Sequence, residues 1–566
     1  MNRVEQYRSL LDQWQAAGLD RRKFLRLVAV GASAASLSAM MGSSALAAQD
    51  DGTPEAGLDL QTVASPEALM GGEHPKSQPF VDKPLTVALN VEPDNLDVQD
   101  TTSNVSASVD KCIYEGLVTL DDKMRIVNLL AESWEVSDDA TEFTFTLQQG
   151  VMFHDGEPFN AEAVVKAYDR VLSEDSTLRR HGYFSAVLDH VEAVDEYVVK
   201  FVAKDPFAAM VATLAHPAGG IPSPVSAEKF GQDFGINPVG TGPYRFVEWL
   251  RGDHITLEAN PDYWNPELAA SVPTLTVKGI SEPGALAIAV QSGDAAFSGP
   301  LDAPQAQQLR QSDNTDVTES PGITVFWVTL NNSKEPFNDL SVRQALNYGV
   351  NKEDVLKAGS LGEGYVVDSP IAKDVWGYKS VGGYEYDPEK AKQLLADAGY
   401  ADGFKTELWT SATHRDRAVA VQAQLANIGV EAEVVQMESA ALTAEQAKPQ
   451  EESQIQMLMT QWSPSTGDAD WALRPIYTKA EWPPAGSTYS FFTDPAVEEA
   501  IQQGLELADP TERANAYGDA QQAIMDAAPN IFLYAPTYFG GIAKTAGGIT
   551  TQPDGVVFIR TAYWKE

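Results

Sequence analysis

The sequence predicts an α/β protein, and three observations carry that reading. Strand-like and helix-like segments alternate along the body, no short internal repeat interrupts them, and 43% of the residues are hydrophobic. The body opens with Leu85-Thr86-Val87-Ala88-Leu89, a β-prone run that ends in the turn-rich Glu92-Pro93-Asp94-Asn95. Next, Val105, Val109, Cys112 and Ile113 fall on one helical face, which makes the single cysteine a buried small apolar residue. Phe143, Phe145 and Leu147 alternate with Thr144 and Thr146, the pattern of a half-buried strand. Gln148-Gln149-Gly150 then turns into Val151-Met152-Phe153, so a hairpin is expected there. A further strand is expected over 197–202, and helices over 162–171, 342–350 and 388–398. The last follows Asp387 as N-cap, has Pro388 at its first position and stops at Gly399.

The chain has 566 residues, enough for two or three lobes. Residues 1–47 read as a twin-arginine export signal: Arg21-Arg22-Lys23-Phe24-Leu25, an uncharged stretch from Leu27 to Ala48, and the small-residue site Ala45-Leu46-Ala47. An extracytoplasmic location is therefore expected, in the periplasm or at the outer face of the cell membrane, whether the signal is cleaved or kept as an anchor. Residues 48–81, rich in Asp, Glu, Gly, Pro and Ser, read as a flexible tether. One cysteine excludes an intramolecular disulfide, and none near the cleavage site excludes a lipoprotein anchor. The net charge is −40; removing residues 1–47, with six basic and three acidic side chains, leaves 34 against 77, or −43. Such a surface repels nucleic acid and anionic lipid, so neither is an expected partner.

Seven segments, in order along the body, resemble the extracytoplasmic solute-binding proteins of peptide-type ABC importers, the dipeptide, oligopeptide, nickel and glutathione binders. They are Cys112-Ile113-Tyr114-Glu115-Gly116-Leu117, Leu130-Ala131-Glu132-Ser133-Trp134 and Gly150-Val151-Met152-Phe153-His154-Asp155-Gly156. Pro238-Val239-Gly240-Thr241-Gly242-Pro243-Tyr244 and Asn260-Pro261-Asp262-Tyr263-Trp264 follow. Val342-Arg343-Gln344-Ala345-Leu346-Asn347-Tyr348 and the stretch from Ala391 to Tyr400 complete the set. The resemblance implies a two-lobed periplasmic-binding-protein-like fold of type II, closing by a hinge over a solute, with a discontinuous first lobe. The expected boundaries are 82–322 for lobe I with a family-specific subdomain, 323–524 for lobe II, and 525–566 for the return to lobe I. A membrane permease with its ATPase is the implied partner, and a monomer is expected.

From Gln461 to Pro475 the chain is most similar to the glutathione-binding members, as are Glu481-Trp482-Pro483-Pro484 and the segment from Tyr489 to Thr493. The resemblance implies glutathione or a short peptide as ligand, with a general di- or oligopeptide, or a nickel chelate, as the alternative. Peptide binders carry an ammonium-holding aspartate three residues after the tryptophan; here that position is Ser465, which shifts an amine-binding role to Asp468 or Asp470. Arg415, after the strand-like segment ending in Trp409, is the first candidate to grip a carboxylate, since a guanidinium offers paired donors. Arg474 is the second, with a salt bridge to Asp470 across one helical turn as its alternative. Trp409, Trp462 and Trp327 are the aromatic candidates for the pocket; Phe326 and Trp327 fall where a hinge crossing is expected, and burial in that strand is the competing reading.

Three short strings point to an enzyme of another class, a serine hydrolase. Ser226-Ala227-Glu228-Lys229, Ser312-Asp313-Asn314 and Lys544-Thr545-Ala546-Gly547 follow the order of serine β-lactamase and penicillin-binding motifs. The helix that the nucleophile requires breaks at Phe230-Gly231, and the third motif is interrupted by Ala546. The seven histidines show no metal-ligand spacing, and His154 reads as a turn residue. No catalysis, metal site or cofactor is expected.

Overall fold

A computed structural model describes residues 78–565. The export signal and the tether up to residue 77 lie outside the described residues. Among the described residues no helix is long and apolar enough to cross a membrane. The chain runs through β1 (Leu85–Leu89), α1 (Asn104–Ile113), the short pair β2 and β3 (Val118–Leu120, Ile126–Asn128), β4 (Ala131–Val136), β5 (Glu142–Leu147), α2 (Ala161–Leu172), β6 (Leu188–Asp195) and β7 (Val198–Ala203). After α3 (Pro224–Phe230) come β8 (Tyr244–Leu250), β9 (His254–Ala259), β10 (Thr274–Gly279), β11 (Phe297–Leu301), α4 (Ala303–Arg310) and β12 (Thr315–Pro321). Beyond them lie β13 (Val325–Leu330), α5 (Leu340–Gly349), α6 (Lys352–Ser360), β14 (Gly364–Val366), α7 (Pro388–Asp397), β15 (Phe404–Thr410), α8 (Arg415–Ala426), β16 (Val430–Gln436) and β17 (Met457–Trp462). Then come α9 (Ala469–Tyr477), α10 (Pro495–Glu506), α11 (Pro510–Ala527) and the fourteen-residue β18 (Asn530–Ala543), followed by four strands of two residues each.

β18 holds the architecture together. The main sheet has twelve strands in the order β16-β15-β17-β13-β18-β11-β1-β10-β9-β8, with β12 and β14 also on β18. The first part of β18 pairs with β13, from Thr329 opposite Asn530 to Phe326 opposite Tyr534. Its later part pairs with β12, from Pro321 opposite Thr537 to Thr315 opposite Ala543. One strand thus belongs to two half-sheets, each with its own core. Leu85, Val87, Val109, Cys112, Tyr244 and Phe297 fill one; Val328, Leu346, Val421, Leu425, Met457 and Leu533 fill the other.

The local signals act as their chemistry requires. β5 buries Phe143, Phe145 and Leu147 fully and turns its threonines outward. Asp387 caps α7 by accepting the Lys390 N–H, and Gly399 beyond it has φ +91°. The hairpin expected after β5 does not form. β5 is flanked by β4 and β7 in a four-stranded sheet, so both its edges are taken, and Met152 bridges Pro158 instead. That small sheet shares its apolar core with α9 and α11, through Phe143, Phe145, Phe201, Leu473, Tyr517 and Ile524.

One buried carboxylate organises the first half. Glu115, 1% exposed, accepts from Tyr263 Oη (2.5 Å) and Arg560 Nη2 (2.8 Å) on one oxygen. Its other oxygen takes Thr241 Oγ1 (3.0 Å) and Trp264 Nε1 (2.8 Å). The turn that carries Thr241 lies against the end of α1: a Cβ at Gly240 would come within 2.2 Å of the Ile113 carbonyl, and one at Gly242 within 2.4 Å of that of Cys112. These glycines are needed for close approach, not for an unusual φ. His154 is the turn residue expected, and it is half-buried as part of the same assembly. Its Nε2 bonds the Gly242 carbonyl at 2.9 Å, and burial pulls its pKa down to about 4.

Glu115→Ala would leave the Arg560 guanidinium unpaired in the core. We expect a loss of about 3–5 kcal/mol, read as a fall in the urea midpoint, while the milder Thr241→Val costs about 1–2 kcal/mol.

Candidate functional site

A cavity of about 510 Å³ opens between the two half-sheets. Asp302, Pro304, Thr537 and Tyr538 line one wall, and Phe326, Ser360, Thr413, Arg417 and Gln461 the other. The crossing of β18 next to β13 sets both walls, because Tyr534 and Tyr538 come from the one strand that serves both half-sheets.

Arg417, in the first turn of α8, is the cation of this pocket. Its Nε donates to Tyr534 Oη at 2.6 Å and its Nη1 to the Thr413 carbonyl at 3.2 Å. Its guanidinium lies 4.3 Å from the Phe326 ring centre and 5.9 Å from that of Tyr534, and those two rings stack at 5.3 Å. A planar cation on stacked rings keeps a fixed direction, which suits charged donation to a carboxylate. Gly359 is part of the brace: a Cβ there would lie 2.3 Å from Tyr534 Oη and 2.6 Å from Arg417 Cγ. Asp302, Glu363 and Asp416 also line the pocket, and Glu363 is held at 3.1 Å by Arg310. His414 meets Phe326 edge-on at 5.4 Å; burial lowers its pKa to about 4, and the Arg417 charge adds to the effect.

The description "Bacterial extracellular solute-binding proteins, family 5 Middle" matches residues 125–484. The chain belongs to that family. It is 36% identical to the glutathione-binding protein GsiB of Pectobacterium atrosepticum, over 83% of this chain and 92% of that one. Among solved structures it is similar to HbpA2 from Haemophilus parasuis, with a TM-score of 0.78 and 26% identity over 86% of this chain and all of that one. It is also similar to the Helicobacter pylori periplasmic binding protein DppA in complex with the peptide STSA, with a TM-score of 0.73 and 27% identity over 86% of this chain and 98% of that one. The fold of this family 5 protein is accordingly the two-lobed type II arrangement, and its biochemical class is solute binding.

Within that frame the nominated residues divide. Arg415, two positions before Arg417, is exposed at the start of α8 and does not line the pocket. Trp409 is buried against Leu442, Ile455 and Leu458, with its indole N–H on Glu407 at 2.8 Å. Trp327 points away from Phe326 into the core shared with the small sheet, and donates to Thr329 Oγ1 at 2.9 Å. Trp462 is half-buried; its indole N–H donates to the Trp471 carbonyl at 2.6 Å, and the two rings sit 5.9 Å apart. Ser465 is half-buried in a tight turn in which its N–H bonds the Ser463 carbonyl.

Neither nominated aspartate is available to an ammonium in this conformation. Asp468 receives Arg513 on both oxygens at 2.7 Å and caps α9 through the Asp470 N–H. Asp470 holds Arg474 with two bonds, at 2.8 and 3.0 Å, which is the ion pair expected as the alternative for Arg474. Ser226, the nucleophile of the hydrolase alternative, is buried on the seven-residue α3 and donates to Asp155 at 2.7 Å.

None of the residues nominated from the sequence lines this pocket; Arg417, Thr413 and Phe326 are among the lining residues that sequence reasoning did not nominate as ligand contacts. The signal for Arg417 is its place two residues beyond Arg415; only the phase of α8 tells them apart.

The His414 pKa sets a stability window. The unfolded imidazole takes a proton near pH 6.5 while the folded one resists to about 4, so stability conferred at neutral pH is lost as pH falls from about 6.5 toward 4. His414→Phe should lose this part of the slope, read as a wild-type-minus-variant difference in urea unfolding that shrinks across that window.

Proposed function

We propose that this chain captures glutathione or another short peptide outside the cytoplasmic membrane and delivers it to an ABC permease driven by a partner ATPase. The observation that carries the reading is Arg417, a guanidinium braced on Phe326 and Tyr534 and directed into a cavity of about 510 Å³. That volume suits a small organic solute, and the guanidinium, with Nε and Nη1 engaged, offers Nη2 as a charged donor to its carboxylate. The name of the GsiB relative supports glutathione, and the peptide bound by the Helicobacter pylori neighbour supports peptides more broadly.

The same proposal includes lobes with boundaries near residues 322 and 524, and hinge bending about β18 and the neighbouring crossing at 321–325. The sharing of β18 between two half-sheets supports this. Export by the twin-arginine route rests on the signal at Arg21-Arg22, and action as a monomer remains part of the reading.

Arg417→Gln should weaken binding of reduced glutathione more than tenfold in isothermal titration, since a charged hydrogen bond is worth about 1.5–3 kcal/mol. Arg415→Gln should leave it within about twofold. If both variants bind like wild type, the carboxylate is held elsewhere.

A further inference from the structure

Arg417 is not the only donor on this wall whose hydrogen has no protein acceptor. Ser360, the last residue of α6, lines the same cavity. Its Oγ lies 3.1 Å from Tyr534 Oη, the hydroxyl that also accepts from Arg417 Nε at 2.6 Å. α6 comes this near because position 359 is a glycine; a Cβ there would lie 2.3 Å from the same Oη.

Elementary donor counting decides which hydroxyl donates in the Ser360–Tyr534 contact. A guanidinium has donors and no acceptor, so the Tyr534 oxygen accepts from Arg417 and still has its own hydrogen to place. Tyr534 is fully buried, and among the described residues Ser360 Oγ is the one acceptor bonded to its hydroxyl. Were Ser360 the donor instead, a buried O–H would be left unsatisfied, which is costly. Tyr534 therefore donates and Ser360 Oγ accepts.

The Ser360 hydrogen then needs an acceptor of its own. A helical serine ordinarily turns back to the carbonyl four residues earlier, here that of Leu356. That carbonyl already receives the N–H of Leu361, held in the left-handed conformation at φ +52°, and the N–H of Gly362 at 3.3 Å. Both of its lone-pair directions are thus used. Glu363, three residues on, is turned to Arg310 at 3.1 Å. Arg417 is in a matching position: Nε and Nη1 are engaged by Tyr534 and the Thr413 carbonyl, and Nη2 has no partner among the described residues.

We propose that Ser360 donates its hydroxyl hydrogen to the same solute carboxylate that Arg417 holds, one oxygen each. Tyr534 orients both donors, by receiving Arg417 Nε and by occupying the acceptor side of Ser360 Oγ. The assignment rests on the solute reading above and deepens it: the pocket recognises a carboxylate with two donors from two helices, one charged and one neutral.

The test is isothermal titration of reduced glutathione and of glycyl-leucine into the full chain. Ser360→Ala is made in wild type, in Arg417→Gln and in Tyr534→Phe. In wild type it should weaken binding about tenfold, the value of a hydrogen bond to a charged group expressed as affinity. In Arg417→Gln it should cost less than about threefold, because residues that hold one group couple. In Tyr534→Phe a loss of more than about threefold should persist, because the contact with the solute is direct. A loss that vanishes in Tyr534→Phe means that Ser360 acts only through the tyrosine, and overturns the proposal. A loss of undiminished size in Arg417→Gln overturns the shared carboxylate. If Ser360→Ala binds like wild type while Arg417→Gln is weakened, the Ser360 assignment fails and the solute reading stands. If wild type binds neither ligand, or neither single variant is weakened, both fall together.

Discussion

Much of the first half depends on the Glu115 carboxylate. Buried charge is destabilising unless every lone-pair direction is met, and here four donors meet it from three separate stretches of chain. Thr241 comes from the glycine turn before β8, Tyr263 and Trp264 from the turn after β9, and Arg560 from beyond β18. The motifs that mark the family are therefore largely the parts of one polar knot. Their residue types follow from its geometry: glycines where the turn touches the end of α1, and hydrogen-bonding aromatics where a wall must also donate.

The knot positions α1, while β13 and β18 carry the two rings, Phe326 and Tyr534, that brace Arg417. Two electrostatic features thus depend on different scaffolding. On the Arg417 side the cation is neutralised only in part, by carboxylates around the pocket, and its direction is fixed by stacking. On the Glu115 side the anion is sealed by its four donors. An acidic protein with a net charge of −40 keeps an isolated guanidinium useful in this way, because long-range repulsion is screened within about 8 Å in physiological salt whereas contact pairing in a cleft is not.

Much of the fold was legible because its signals are local. The alternation of Phe143, Phe145 and Leu147, the Asp387-Pro388 cap and the helical face of Cys112 each require only a few neighbouring residues. The candidate site was less legible because long-range partners decide it. Asp468 looked free in a loop, but Arg513, 45 residues on, occupies it. Phe326 and Trp327 are adjacent and equally apolar, and only strand register sends the first to the pocket and the second to the core. Arg415 and Arg417 differ by the phase of one helix. The hairpin after β5 failed for the same reason, since β7 had already taken the edge that the turn would have offered.

The separation between Glu115 and Arg560 also sets a timetable. They lie 445 residues apart, so at about 5–20 residues per second a ribosome takes roughly 20–90 s to make the second after the first. Throughout that interval the nascent carboxylate has at most three of its four donors and no counter-charge. The first half therefore has to persist in an open, unsealed form while the rest of the chain is made, and its final consolidation is an event of late synthesis.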